Sequence, residues 1–461
     1  MMKTSLQSRR DFVKQAALVS LGFTSLARCA TIPMHAKPYT RQLPLTNDPG
    51  SYLDLPEGFS YRVISRSGKK MQDGFLVPGR PDGMGTFNGK DGKVIIVCNH
   101  ENSPTPVENS PFGVQNELFS QIDDSMVYDA GQGKDPGLGG TTTMVYNEDT
   151  GEVEKQFLSL AGTYRNCAGG VTPWHSWLTC EEDVATIGGN IEKDHGFVFE
   201  VPASDQIRLA KPLPIKDMGR FNHEAVAVDP VSGIVYQTED RPDGLIYRYI
   251  PDKKENLHEG GKLQVLAVKG KKSLDTRNWT KKTVHLHKPL EVEWLDIDEV
   301  LSPDDDLRYR GFESGAACFA RGEGMWYGKN EIYFACTNGG PNKFGQVFRY
   351  KPSPAEGTGQ ENLNPGILEL FAQSKDKAIL NMCDNLTVAP WGDVILCEDN
   401  GELNYIRGIN QQGELYNIAC NRSSTSEFAG LVFSPSGKTL FVNIQENGET
   451  IAITGPWGNL A

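Results

Sequence analysis

The sequence predicts an all-β protein, a β-propeller of six blades with irregular insertions and little helix. Three observations carry this reading. Helical periodicity is nearly absent beyond the first thirty residues. In its place, short β-branched and aromatic runs alternate with Gly, Pro, Asn and Asp turns, as in "KVIIVCNHEN", "HGFVFEVP", "GLIYRYIP" and "NEIYFACTNGG". Several segments also share one form: an apolar run, a turn such as "DPVSG", "APWGD" or "SPSGK", a second apolar run, then acidic or amide residues. That form is a hairpin with a polar exit, and repeated over about 400 residues it indicates blades around a central channel. A large β-sandwich enzyme is the alternative.

Residues 1–30 form an export signal. Arg9 and Arg10 are followed by Phe12 and Lys14, then by an apolar stretch from Ala16 to Leu26, the layout of a twin-arginine leader. The expected partner is the twin-arginine export machinery, and the expected location is periplasmic or extracellular. Cys29 sits in "LARC", where a lipobox would want a small residue in place of Arg28, so lipid anchoring through it has weak support. Residues 31–50 are an N-terminal extension, and 51–461 are expected to form a single propeller catalytic domain. Removing the five basic residues and one acidic residue of the leader takes the formal charge from −13 to −17. Such a surface excludes nucleic acid and anionic membranes as partners and favours a protein that collects cations. No second apolar run reaches membrane-spanning length, and a monomer is expected.

Within the propeller, the segment that starts at Asp252 and runs to "FARGEG" breaks the rhythm with charged, less strand-like sequence. It reads as an insertion with a short helix. "PSPAEGTGQENLNPG" reads as a surface loop. "SPSGKT" is a hairpin turn and not a phosphate loop, because Gly430 lies two residues too far upstream of Gly437. Eight cysteines follow the leader, an even number that permits disulfides in an exported protein. No CxxC spacing occurs. Most of the cysteines finish apolar runs, as small buried residues do.

Chemistry gathers at the polar exits. Asn99–Glu101, Cys180–Asp183, Asn222–Glu224, Glu239–Asp240, Asp384–Asn385 and Cys397–Asn400 each follow or open a strand. In a propeller, corresponding strand ends converge on one end of the channel, where crowded carboxylates repel unless cations lie between them. Oxygen-rich clusters suit hard cations. In "GVTPWHSWLTCEED" the thiol of Cys180 could be a metal ligand, a structural thiol or half of a disulfide with Cys167, while Trp174 and Trp177 offer an apolar wall. In "FARGEGMWYG", Arg321 and Glu323 share one face of an extended segment. A metal-binding carboxylate beside an oxyanion-binding arginine suits a phosphate ester, and a salt-bridged turn is the alternative.

The stretches "GTYRNCAGGVTPWHSWLTCEED", "GRFNHEAVAVDPVSGIVYQTEDRPDGLIYRYIP", "GEGMWYGKNEIYFACTNGG", "DNLTVAPWGDVILCEDN" and "EFAGLVFSPSGKTLFVNIQ" resemble the PhoX-type alkaline phosphatases, from about Leu53 to Trp457. The resemblance implies a twin-arginine-exported, six-bladed phosphatase with two ferric ions (Fe3+) and two or three calcium ions (Ca2+). The ions would be joined by an oxo group, with a cysteine thiolate bridging the irons. By motif, Cys180 matches that thiolate and Glu181 an adjacent metal-binding carboxylate. Glu224, Glu323 and Asp384 match metal ligands, and Arg321 the arginine that contacts phosphate. Glu101, Glu239, Asp240, Asn338, Asn385, Glu398 and Asp399 are candidates from position and chemistry. The departure "NIQENGET" lies in the last strand region.

The function expected is hydrolysis of small phosphate monoesters, with catalysis assigned to Arg321 and Cys180. The alternatives are a non-catalytic propeller stabilised by calcium, and a propeller phosphodiesterase or lactonase.

Overall fold

The apolar runs are continuous because their strands are packed on both faces. Val94–His100, Phe428–Phe433 and Thr439–Ile444 are buried at every position, the pattern of strands held inside a stack of sheets. The computed structural model describes residues 44–460. The leader, Cys29 and residues 31–43 of the N-terminal extension lie outside the described residues.

The chain is mostly strand, and the described residues form five hydrogen-bonded sheets. The first runs from Pro81–Asn88 through Val94–His100 and Gly139–Asn147 to Glu152–Thr163. A three-stranded sheet follows: Asn166–Val171, Ser176–Glu181 and Val198–Pro202. A nine-stranded sheet has His223–Val228 at one edge and Gly322–Gly328 at the other. The last two sheets start at Cys383–Val388 and Phe428–Phe433. These six innermost strands pack each against the next, and Phe428–Phe433 packs back against Pro81–Asn88. The arrangement is propeller-like. Its ends are tied where Ser60–Arg66 adds an outer strand to Glu449–Thr454, so the start of the chain completes the sheet made by its end.

The segment beginning at Asp252 departs from its expectation. It holds two full strands, Gly261–Val268 and Leu290–Asp296, besides the helix Leu307–Ser314, the one α-helix among the described residues. The apolar core of "LQVLAV" was masked in the sequence by charged flanks. Leu290–Asp296 pairs with both Gly261–Val268 and Ile367–Gln373, which is what fuses the nine strands into one sheet. The loop "PSPAEGTGQENLNPG" is tied down from within. The fully buried Arg248 grips Glu356 at 2.7 Å and Glu361 at 2.8 Å. "SPSGK" is a turn between paired strands, with Gly437 at φ 72°. The eight cysteines from Cys98 to Cys420 are free thiols.

Candidate metal centre

Each innermost strand carries a register break just after its start, at Pro81/Met84, Asn166/Gly169, His223/Val226, Gly322/Met325, Cys383/Leu386 and Ala429/Val432. A bulge re-aims a side chain and bends the strand. The second residue of each strand sits at this break: Asp82, Cys167, Glu224, Glu323, Asp384 and, in the sixth place, Ala429. The first five line one polar cavity of about 200 Å³. The third residues, Gly83, Ala168, Ala225, Gly324, Asn385 and Gly430, line the channel beneath, where the space falls to about 10 Å³. Five of the six are Gly or Ala because the axis is crowded. A Cβ on Gly83 would stand 2.6 Å from the Ala168 Cα, and one on Gly430 would stand 2.1 Å from the Asp82 carbonyl. Trp177 helps to close this floor, its indole N–H donating to Asn99 Oδ1 at 2.8 Å. The cavity is therefore a cup.

A second ring stands above the first. The residue after each second strand donates its N–H to the carbonyl of the residue before the innermost strand: Glu101 to Arg80, Glu182 to Arg165, Asp240 to Asn222, Thr337 to Arg321, Asp399 to Met382 and Gln445 to Glu427. Of these, Glu101, Glu182, Asp240, Asp399, Gln445, Arg80, Arg165, Arg321 and Glu427 also line the cup. Arg80, Arg165 and Arg321 have φ of 44°, 46° and 52°. That left-handed backbone, shared by Met382 (φ 59°) at the same position of a fourth repeat, costs a non-glycine residue on the order of 1 kcal/mol each.

Two groups within the cup have metal-binding spacing. One ligand atom each from Cys167, Glu182 and Glu224 lie within 4.8 Å of one another, as do those from Glu224, Glu323 and Asp384. Burial first, and neighbouring carboxylates second, push the carboxyls of Asp82, Glu182, Glu224 and Glu323 well above the usual range. The same holds for Asp384 and Glu427. The Cys167 thiol is pushed up by burial, then by Glu224 and Glu182. Oδ1 of Asp82 is buried without a hydrogen-bond partner. A buried acidic set of this kind must take up protons or cations.

The structure brings together Arg321, Glu224, Glu323, Asp384, Glu101, Asp240, Asn385 and Asp399 from the sequence-based set. Arg321 grips Asp240 through Nε and Nη2, both at 2.9 Å, and reaches Glu323 at 3.1 Å. Glu101 is held between two arginines, Arg80 at 2.6 Å and Arg165 at 2.7 Å. Asn385 accepts the Gly430 N–H at 2.9 Å.

Five others lie elsewhere. Cys180 is fully buried in an apolar cluster with Leu178, Val198 and Phe221, and burial alone raises its thiol pKa. Glu181 accepts N–H bonds from Tyr164 and Gly196 at 2.9 Å and contacts His195 at 2.6 Å. Glu239 accepts from the Leu245 N–H and the Tyr247 hydroxyl. Glu398 accepts from the Asn381 N–H and from Arg407. Glu181, Glu239 and Glu398 are each the last residue of a second strand, and the twofold alternation of the strand turns them away from the residue that follows. Asn338 offers its carbonyl to Trp279 and does not line the cup.

The cup is thus lined by Cys167 and Glu182, while Cys180 and Glu181 lie outside it. Asp82, Glu427, Gln445, Arg80 and Arg165 were missed. The signal that could have found Asp82, and Cys167 with it, is the short repeat "PDG", "NCA", "HEA", "GEG", "CDN" and "FAG" at the head of each innermost strand.

A family model described as alkaline phosphatase PhoX matches residues 40–153 and 138–448. No curated protein matches. Three of the matching solved structures are a gluconolactonase of Xanthomonas campestris, a luciferin-regenerating enzyme, and a virginiamycin B lyase of Staphylococcus aureus. The first is 12% identical with a TM-score of 0.41 and covers 87% of this chain and 97% of its own. The second is 10% identical with a TM-score of 0.42, covering 86% and 96%. The third is 12% identical with a TM-score of 0.38, covering 86% and 99%.

Proposed function

The chain belongs to the alkaline phosphatase PhoX family, and from that premise we propose that it is an exported phosphomonoesterase whose cup holds a multinuclear iron–calcium centre. The observation that carries the proposal is the convergence of one thiol and several buried carboxylates on one cup, from equivalent positions in successive repeats. The donor chemistry fits the cations. Cys167, Glu182, Glu224, Glu323 and Asp384 combine a soft ligand with hard ones and would hold ferric iron. Asp82, Asp399 and Glu427 offer oxygen alone and would hold calcium. When bound, the cations supply electrophilic activation of the phosphoryl group.

The chain's own residues do the rest. Asp240 and Glu323 fix the Arg321 guanidinium at the cup, where it meets the negative charge that grows on the phosphoryl oxygens. Orientation costs nothing at the moment of reaction, because Arg321 is already locked. The small-residue floor stops substrate and water from passing down the channel. Six blades follow if the nine-stranded sheet is counted as two blades joined through Leu290–Asp296. Twin-arginine export, a periplasmic location and a monomeric state complete the reading.

The test is hydrolysis of an aryl phosphate by protein folded through its own export route, with and without chelator, alongside elemental analysis. Chelator-sensitive hydrolysis with both iron and calcium bound is expected. Calcium without iron, or no hydrolysis by the metal-replete protein, would refute the proposal.

A further inference from the structure

Arg165 repeats the construction of Arg321 two blades earlier. Both precede an innermost strand, with φ of 46° and 52°. Both line the cup and are partly exposed, by 36% and 27% of the side chain. Each spends Nε and Nη2 on the acidic residue of the second ring that lies beside it. Arg321 takes both oxygens of Asp240. Arg165 takes the Glu182 carbonyl through Nε at 3.1 Å and the Glu182 carboxylate through Nη2, and Nη2 also meets Glu101 at 2.7 Å. In both, Nη1 has no partner among the described residues. Arg80 differs, because its Nε and Nη2 go to Glu101 and its Nη1 to Glu446.

We propose that Arg165 is a second oxyanion-binding arginine, which holds the substrate phosphate together with Arg321. The assignment rests on the phosphatase reading of the cup. Both arginines line a cavity of about 200 Å³, and each keeps its Nη1 donors uncommitted among the described residues. Asn222 links the partners of the two, its Nδ2 donating to the Glu182 carboxylate at 3.0 Å and to the Asp240 carbonyl at 3.3 Å, so the two forks flank one stretch of the cup. Charge-assisted N–H···O bonds from both would clamp a tetrahedral oxyanion held between them. The remaining nitrogens are committed to carboxylates and, for Arg165 Nε, to the Glu182 carbonyl, which hold each fork in place and lower the entropy lost on binding. Glu101 has a different part from the one its sequence position suggests. With both oxygens occupied by Arg80, Arg165 and Gln445, it serves to position Arg165.

The test is calorimetric titration of the metal-replete protein with inorganic phosphate, with iron and calcium measured on the same samples. Arg165→Gln should weaken phosphate binding at least tenfold at unchanged metal content, as should Arg321→Gln. Arg165→Lys keeps the charge but loses the fork, and should fall in between; it answers the question alone if the glutamine variant does not fold. Unchanged phosphate affinity in either Arg165 variant would overturn the proposal. So would loss of metal in parallel with affinity, because Arg165 would then be acting only through Glu182. Wild-type protein that does not bind phosphate would overturn it as well. The aryl phosphate assay is scored separately. Phosphate binding that depends on Arg165 without ester hydrolysis would refute the phosphatase reading and leave this assignment standing.

Discussion

Cys167 and Cys180 lie thirteen residues apart on adjacent paired strands, yet alanine at each should do opposite things. Cys180 contributes a single sulfur to an apolar cluster, with no charged neighbour shifting its thiol. Its removal is a small core deletion costing about 1 kcal/mol. In a chain of this size that moves Tm by no more than about 2 °C. Cys167 is one of three donors whose ligand atoms lie within 4.8 Å of one another. Loss of an outer hydrogen-bond partner of a metal ligand already costs 10–100-fold in metal affinity, so loss of the thiolate itself should cost more than about 100-fold. The fold should survive, since Cys167 belongs to the same apolar cluster as Cys180 and its loss is a deletion of the same small size there, while its polar contacts are weak ones, 3.3 Å to the His223 carbonyl and 3.6 Å to the Glu224 carbonyl. The assay is iron and calcium per chain by elemental analysis, with far-UV circular dichroism and a thermal melt. Cys180→Ala should retain iron, and Cys167→Ala should lose it while melting cooperatively. Iron lost from Cys180→Ala and kept by Cys167→Ala would refute the assignment of the thiol and the geometry behind it.

Two further predictions concern protons. His195 is fully buried between Glu181 at 2.6 Å and Asp129 at 3.3 Å. Burial works to lower its pKa, but the two carboxylates outweigh it and hold the value at about 9. The stability this contributes is complete below the ordinary histidine pKa and is lost as pH rises through about 9, an effect of roughly 2–3 kcal/mol at most. Denaturant melts at pH 6.5 and 9.5 should show that loss in wild type and far less of it in His195→Asn; an imidazole that titrates near 6.5 by NMR would count against it. The cup behaves in the opposite sense from an ordinary salt-bridged carboxylate. Its carboxyls have raised pKa values, so the folded state binds extra protons, and stability of the stripped protein should fall as pH rises above the ordinary carboxylate range. Restoring calcium and iron should flatten that slope, and a stripped protein equally stable above that range would contradict the crowding described above.

Much of the fold was legible because it rests on local chemistry. Strands such as "VIIVC" and "TLFVNI" are apolar on both faces, and each ends in a turn that backbone sterics favour. The candidate site was legible by blade end and blurred by one residue. The sequence marks that "TCEED" and "VYQTED" end a strand in acids. Which acid enters the cup depends on where pairing stops. Glu181 still faces Asn166 across the ladder, while Glu182, one residue later, is free to turn inward. The same one-residue step separates Glu239 from Asp240 and Glu398 from Asp399. A register error of one residue reverses every side chain. Cys167 was hidden for a different reason. "NCAGG" lacks any acid and looks like a packed strand; pairing with the next strand brings it to Glu182, and closure of the ring brings it to Glu224. Arg80 and Arg165 depend on acids distant in sequence, which no local pattern encodes.

The near-symmetry of the two rings also bears on how many cations the cup needs. Asp82, Glu182, Glu224, Glu323, Asp384 and Glu427 all resist ionisation where they stand. The three arginines of the cup do not relieve them equally. Arg321 is spent on Asp240 and Glu323, Arg165 on Glu101 and Glu182, and Arg80 on Glu101 and Glu446. Asp82, Glu224, Asp384 and Glu427 are left without an arginine partner, and they come from four different innermost strands or the residues leading into them. One small cation cannot lie in contact with side chains spread around a whole ring. Neutralising them at alkaline pH, where protons are scarce, argues for several cations distributed around the cup. The sixth place fits this. Ala429 offers no ligand at the second position of its strand, and Glu427, from the residue before that strand, brings an acid to the same cup instead. The break in symmetry shifts a donor outward, away from the thiol and toward Asp399. It leaves one side of the cup with oxygen alone and the other with sulfur and oxygen, a division that suits the two kinds of metal proposed above.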